Sequence, residues 1–359
     1  MRIVHVVDSM EVGGAEVLVA DLCRLQQEQG HNVSISCLFR RGLLGEALER
    51  DGFAVRVHGP GGLLRTLPRL WRFFRHARPD VVHCHNATPA IYAAAAARLT
   101  GAHCVLDTRH GLVAPPYRKS LEWKFAVAAR FCHAIVGVCQ ATQRNLEGAP
   151  GAVRGKITTV YNGAREPLPA EPGQAAVPPV SGFTLVHVAR LAAAKDQATL
   201  VRAIALARKD VPKLQAWIVG GGPLLESLTK LAQALDLGGC LHFLGEQKRV
   251  RPFLEQAQLF VLSSISEALP VSLLEAMALG LPAVVSDVGA MPEVVRAAGC
   301  GLVVPSSDPQ SLADAIVQLA THPAALHGYG KAARQAYLAR FTLLHMADRY
   351  MEIYRNGLR

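Results

Sequence analysis

No Cys-x-x-Cys pair occurs among the eight cysteines of this 359-residue chain. Cys23, Cys37, Cys84, Cys104, Cys132, Cys139, Cys240 and Cys300 are scattered through apolar runs, a pattern that signals neither a zinc ribbon nor a disulfide framework. They are expected to be reduced thiols in a cytoplasm. No segment approaches the roughly twenty consecutive apolar residues that a membrane span requires. The strand-like run after Arg2, which ends at Asp8, is too short for the apolar region of a signal peptide. G-x-G-x-x-G is absent, which excludes the dinucleotide fingerprint. Zinc-finger spacing, an RNP-like aromatic motif and a helix-turn-helix are absent too, so nucleic acid is not an expected partner. Asp-x-Asp occurs nowhere.

What is present is ample core material: 50% of the residues are hydrophobic, and the length suggests two domains. The formal charge of +10 is uneven, because residues 1–170 hold 21 Lys+Arg against 13 Asp+Glu while residues 171–359 hold 17 against 15. Such a field suits an acidic ligand or an anionic lipid surface. Short β-branched runs alternate with helix-length segments at 2–7, 32–38, 54–58, 80–85, 103–108, 133–138 and 156–161. After the proline-rich stretch 166–180, read as a linker, the rhythm restarts at 183–189, 215–220, 240–245, 259–264, 283–287 and 301–305. Runs without polar alternation indicate parallel strands covered on both faces. The expected fold class is therefore α/β, with two Rossmann-like, doubly wound domains facing across a cleft. The expected boundaries are 1–165, the linker 166–180 and 181–335. Ligands in such sheets bind beyond the C-terminal strand edges, so the residues just after strands carry the functional reading.

The stretch ISEALPVSLLEAMALGLP (265–282) sets two glutamates, Glu267 and Glu275, in otherwise apolar surroundings. An unpaired buried carboxylate costs several kcal/mol, so each needs a partner from elsewhere. Pro270 suits a first helical position and Gly280 a helix end, which puts Glu267 in a strand-to-helix loop and Glu275 in the helix. The free N–H groups of Leu269, Val271 and Ser272, on either side of Pro270, would then form an anion site for a phosphate or diphosphate. A carboxylate repels phosphate but accepts hydrogen bonds from a vicinal diol such as a ribose or hexose edge. The alternative is that Ser272-x-x-Glu275 is a capping box and Glu267 is solvated.

This segment resembles the E-x7-E signature of retaining GT-B glycosyltransferases of the GT4 family. The resemblance runs along nearly the whole chain, through VDSMEVGGAE (7–16), VVHCHN (81–86), TRHG (108–111), VYNG (160–163), VARLAAAKD (188–196), VGGGP (219–223), FLG (243–245) and SDVGAMPEVV (286–295). It implies that Glu267 meets the donor hexose and Glu275 the nucleotide ribose. Arg190 and Lys195, two cations on one loop after a strand, would stabilise the departing diphosphate; the alternative is a pair of exposed surface cations. Together with the missing Asp-x-Asp, they fit an enzyme that needs no metal and no cofactor beyond its nucleotide-sugar co-substrate. Gly13 and Gly14 open the first helix, and the resemblance sets Gly14 beside the donor phosphate; alone, a double glycine is an ordinary tight turn. Gly221 would border the nucleobase. His110 would contact the donor sugar near the reaction centre, although a lone histidine is often structural. His83 and His85 share one strand face, as a metal pair would, but lack a third ligand. His85, Gly13 and Asn86 are therefore weak acceptor-side candidates. One departure is Ala268, where the family usually has glycine.

The resemblance implies transfer of a hexose or N-acetylhexosamine from a UDP- or GDP-sugar to a hydroxyl, with retention of anomeric configuration. The first domain would hold a saccharide or lipid-linked acceptor and the second the donor, with residues 336–359 forming a helix against the first domain. A UDP-sugar epimerase of the same fold and a non-catalytic sugar-nucleotide-binding partner remain open. Segment 63–80 mixes Leu67, Leu70, Trp71 and Phe74 with Arg65, Arg69, Arg72, Arg75 and Arg78. Either an anionic membrane surface meets residues 63–78, or the arginines are a solvated face over a packed helix. The expected location is cytoplasmic, peripheral on the inner face of the membrane in the first case.

Overall fold

The computed structural model describes residues 1–112, 119–149, 151–169, 177–178 and 182–358. These fall into two compact units: Met1–Gly163 with Leu343–Arg359, and Ala164–Thr342. Of the linker expected over 166–180, residues 170–176 and 179–180 lie outside the described residues.

The first unit is built on β1 (Arg2–Ser9), β2 (Asn32–Arg40), β3 (Ala54–Val57), β4 (Val81–His85), β5 (Cys104–Arg109), β6 (Ala134–Gly137) and β7 (Ile157–Thr159). They form one parallel sheet in the order β3-β2-β1-β4-β5-β6-β7. β4 reads VVHCH and β5 CVLDTR, and every residue of both is buried, as strands sandwiched between helices must be. On one face the alanine-rich helix Ala87–Leu99 packs close to the sheet through Ala90, Ala93, Ala94 and Ala97. The other face carries the histidines of β1 and β4 and is met by the C-terminal helix Leu343–Leu358 through buried Tyr350 and Tyr354.

The second unit repeats the plan with β8 (Thr184–Val188), β9 (Gln215–Val219), β10 (Leu241–Phe243), β11 (Leu259–Leu262), β12 (Ala283–Ser286) and β13 (Gly301–Val304). Its sheet is also parallel, in the order β10-β9-β8-β11-β12-β13. Leu200, Val201 and Ile204 of helix Gln197–Ala207 and Leu312 and Ile316 of helix Pro309–Thr321 fill its core. The thirteen expected strands are all present, several of them shorter than the apolar runs that announced them. Segment 63–80 forms helix Gly62–Ala77, which buries Leu70 and Phe74 but leaves Leu67 and Trp71 outside with the arginines. Among the described residues no helix is long and apolar enough to cross a membrane.

In each sheet the strand order reverses at one point, between β1 and β4 and between β8 and β11. There the following loops diverge, leaving a crevice beyond the strand ends. In the second unit the loops beside this point are bonded to one another. Ala189 N–H donates to Val219 O at 3.1 Å and Leu191 N–H to Gly221 O at 2.8 Å. Gly220 makes this approach possible: its φ is +138°, and a Cβ there would lie 2.0 Å from Ala189 O. Gly220→Ala is therefore expected to destabilise the second unit by about 1–3 kcal/mol, a local conformation no side chain tolerates well. A thermal melt indistinguishable from that of the unaltered protein would show that the loop yields without cost.

Candidate donor site and a buried histidine chain

In the second unit the candidate residues gather on the C-terminal edge of the sheet. Arg190 follows β8 and is exposed; its carbonyl accepts from Gln197 Nε2 at 2.9 Å. Lys195 ends the short 3-10 turn Ala193–Lys195 that leads into helix Gln197–Ala207. Asp196 caps that helix in a left-handed conformation with φ +43°, and its carboxylate accepts from Thr199 Oγ1 at 2.7 Å. This turn is fastened to the loop after β11. Ile265 N–H donates to Ala194 O at 2.9 Å, and Ser263 Oγ donates to Lys195 O at 3.1 Å and Asp196 O at 3.0 Å.

The fastening brings Lys195 Nζ onto Glu267 Oε1 in a short ion pair, and Ser264 Oγ donates to the same oxygen at 2.9 Å. The partner that Glu267 requires is thus supplied within the protein. Gly289, at φ +61°, lets the loop after β12 lie directly under Glu267, where a Cβ would come within 2.0 Å of Glu267 O. Helix Val271–Ala278 starts beyond Pro270, which occupies the N-cap rather than the expected first helical position. Ser272 is accordingly inside the helix and is not its cap, so the capping-box reading of Ser272 and Glu275 does not hold. The leading N–H groups of this helix, from Val271 onward, have no carbonyl within the helix to meet, and the dipole favours an anion there. Leu269 and Ala268 are buried in the preceding loop, and Glu275 lies half-buried one turn into the helix. Gly221 sits beside Glu246, 3.7 Å from its Cβ if it had a side chain.

In the first unit, Gly13 is the N-cap and Gly14 the first residue of helix Gly14–Glu28. Gly13 is extended at φ −159° and Gly14 faces open space, so neither is demanded by backbone strain. A chain of histidines runs from β1 through β4 to the loop after β5; His5, His83 and His85 are buried and His110 is half-buried. His110 Nε2 is 3.0 Å from His85 Nδ1, His85 Nε2 is 2.9 Å from His5 Nδ1, and His5 Nε2 is 2.8 Å from Gln26 Oε1. Gln26 Nε2 donates to Tyr354 OH at 3.3 Å, and that hydroxyl is 2.8 Å from His83 Nδ1. His83 Nε2 is 2.8 Å from Thr108 Oγ1. Asn86, at φ +76°, fixes the backbone of His110 by accepting its N–H at 3.0 Å. Burial is the main cause that pushes His5 and His110 down to about 4 and His83 and His85 well below the ordinary range, so all four rings are neutral.

His5 is the third ligand that His83 and His85 lack in the sequence, since the three rings offer nitrogens within 4.8 Å of one another. Every one of those nitrogens is already engaged in the hydrogen bonds above. A metal taking one nitrogen from each ring would have to displace the hydrogen bond that nitrogen makes. Sequence reasoning also passed over two carboxylates. Asp107 on β5 is fully buried, with neither oxygen bonded among the described residues, and burial raises it well above the carboxylate range. Asp8, at the end of β1, is raised to about 6 by burial and by Glu16.

Residues 174–336 match the family described as glycosyl transferases group 1, and residues 12–165 match Glycosyltransferase Family 4. A D-inositol 3-phosphate glycosyltransferase of Catenulispora acidiphila is 30% identical over 395 residues, covering 97% of this chain and 92% of that protein. An exopolysaccharide phosphotransferase of Streptomyces coelicolor is 33% identical over 204 residues, which is 56% of this chain but only 21% of that protein. Among solved structures, Anabaena HepE in complex with UDP has the same fold, with a TM-score of 0.87 at 19% identity over 99% of this chain and 100% of that one.

The ion pair sets a stability test. The side chain of Glu267 is 9% exposed and that of Lys195 25%, so removing the ammonium leaves a largely buried carboxylate to which Ser264 still donates. Lys195→Met is expected to cost about 1–3 kcal/mol. Adding Glu267→Gln should recover most of that loss, because the charge needing a partner is gone. Equal melting temperatures for Lys195→Met and the unaltered protein would mean that water reaches Glu267 freely.

Proposed function

The chain belongs to the group 1, family 4 glycosyl transferases, and on that premise we propose that it moves a hexose or N-acetylhexosamine from a nucleoside-diphosphate sugar to a hydroxyl acceptor, with retention and without a metal. The observation that carries this reading is the Lys195–Glu267 pair beside the start of helix Val271–Ala278, at the point where the second sheet reverses its strand order. A diphosphate bound at the helix start would meet oriented N–H groups and the ammonium of Lys195, with Arg190 supplying a second charge from the neighbouring loop. These groups gain most when the bond from the anomeric carbon to the phosphate oxygen breaks and negative charge collects on the leaving group. The acceptor oxygen would bond to the same face of that carbon, and its proton would pass to the departing phosphate oxygen. Protein cations perform the neutralisation that a divalent ion performs elsewhere, which is why the chain needs no Asp-x-Asp.

Glu267 would hold sugar hydroxyls with the oxygen that Lys195 leaves over, and Glu275 the ribose diol. Gly221 and the loop with Glu246 would face the base, while His110, Asn86, Gly13 and Gly14 would serve the first unit's side of the reaction. HepE holds UDP on this fold, which supports a uridine donor without excluding guanosine. The rival readings differ in one incubation: an epimerase converts donor alone, a binding partner converts nothing, and a transferase requires acceptor.

The donor reading is tested with a thermal-shift and titration panel of UDP, GDP, UDP-glucose, UDP-N-acetylglucosamine and GDP-mannose. Glu275→Ala is expected to weaken the free nucleotide by on the order of tenfold, the loss of one hydrogen-bonded carboxylate. Glu267→Gln should spare the nucleotide and weaken only its sugar-bearing form. Equal losses for both ligands in both variants would overturn the division of labour. Transfer is expected to proceed at full rate in EDTA; loss on chelation that Mn²⁺ restores would end the metal-independent mechanism.

We also propose that helix Gly62–Ala77 rests on an anionic bilayer. Leu64 is 90% exposed and Leu67 and Trp71 also face outward, beside a groove of about 600 Å³ lined by Arg56, His58, Arg69, Arg72, Phe73 and His76. Basic residues near a charged surface contribute about 1 kcal/mol each. Vesicles of phosphatidylglycerol should sediment the protein in low salt, and Arg65→Glu with Arg72→Glu should abolish this while sparing the Arg69 hydrogen bond to His58 O. Failure to sediment at low salt would leave the arginines a solvated face.

A further inference from the structure

The histidine chain has a direction. Gln26 donates its Nε2 hydrogen to Tyr354 OH, so its oxygen faces His5, and His5 must donate from Nε2. A neutral imidazole carries one N–H, so His5 Nδ1 is bare and accepts from His85 Nε2. His85 Nδ1 is then bare in turn and accepts from His110 Nε2. The proton of His110 is thereby committed to Nε2, which leaves a lone pair on Nδ1. That nitrogen is buried and has no hydrogen-bond partner among the described residues. On the far side, Tyr354 receives from Gln26, and donating to His83 Nδ1 is the arrangement that gives its own hydrogen an acceptor, so His83 donates from Nε2 to Thr108. Every member is satisfied in this one direction except the last nitrogen of His110.

An orphaned buried acceptor is costly, and a group that donates to it recovers that cost. We propose that His5 and His85, anchored by Gln26 and Tyr354, are positioning residues that hold His110 as the Nε2–H tautomer and so present Nδ1 as an acceptor to a substrate hydroxyl. This rests on the reading of His110 as a substrate-facing residue, whereas the tautomer itself does not. Burial keeps each ring neutral, which the scheme requires, since a second proton anywhere would leave two donors facing each other. The reverse orientation of the Gln26 amide would invert every bond in the chain and put a hydrogen on His110 Nδ1. The anchor thus decides whether the end of the chain accepts or donates.

The test is the ¹⁵N spectrum of the full-length protein labelled at histidine. His110, His85 and His5 should each show a pyridine-type Nδ1 and a pyrrole-type Nε2. A pyrrole-type Nδ1 at His110 overturns the proposal directly, with no variant needed. Gln26→Met removes the anchor and should introduce pyrrole character at His110 Nδ1, whereas Gln26→Glu, which can only accept from His5, should retain the original pattern. An unchanged His110 spectrum in Gln26→Met also overturns the proposal. With the panel nucleotide sugar that binds and its acceptor, Gln26→Met should lower kcat on the order of tenfold if the competent tautomer falls to about one-tenth of the population, and Gln26→Glu should restore it. If the tautomer is as stated but saturation with that nucleotide sugar and acceptor leaves the Nδ1 resonance unmoved, the chain stands and the substrate-facing reading of His110 falls.

Discussion

A parallel strand covered on both faces has only its ends left to meet a ligand. Both sheets obey this constraint: β4, β5, β11 and β12 are buried along their whole length, and nearly all the candidate residues begin where a strand stops. Parallel strands also bring all their C-terminal ends to one edge, so residues far apart in sequence arrive together. Lys195 and Glu267 are 72 residues apart and form an ion pair because β8 and β11 are neighbours. The strand order decides which loops can meet, and the loops decide the chemistry.

That meeting is then made rigid through backbone atoms and short serine side chains. The turn before Asp196 accepts through the main-chain oxygens of Ala194, Lys195 and Asp196, and Gly220 and Gly289 admit contacts that a Cβ would forbid. An ammonium held this way loses little further freedom when a ligand arrives, which is the physical content of preorganisation. The first unit solves the same problem differently. Its edge is stiffened by imidazoles whose order depends on an amide and a phenol two helices away.

The strands were legible because uninterrupted β-branched runs admit few other readings, and the loops after them could be named before any geometry was known. The helix start near Pro270 was legible to within one residue, the usual uncertainty of a cap. Glu267 and Glu275 announced themselves as charges in apolar surroundings, but the identity of the first one's partner did not, because pairing depends on strand order. His83 and His85 stood out by their spacing, whereas His5 looked like one more residue of a strand. Only the register that sets His5 beside His83 across β1 and β4 makes it part of the cluster. Gln26 and Tyr354 left no mark, since a polar residue on a helix is ordinary until its neighbours are known.

The place of Tyr350 and Tyr354 near the end of the chain has a consequence for how the protein is made. During synthesis the residues of the first sheet leave the ribosome early, yet the hydroxyls that complete their buried polar network arrive after the whole of the second unit. Until then His83 and Gln26 face a groove where the last helix belongs, and water must stand in for the phenols. The buried polar network of the first unit is therefore incomplete until the chain beyond Thr342 has been made, whereas the core of the second draws on residues before Thr342.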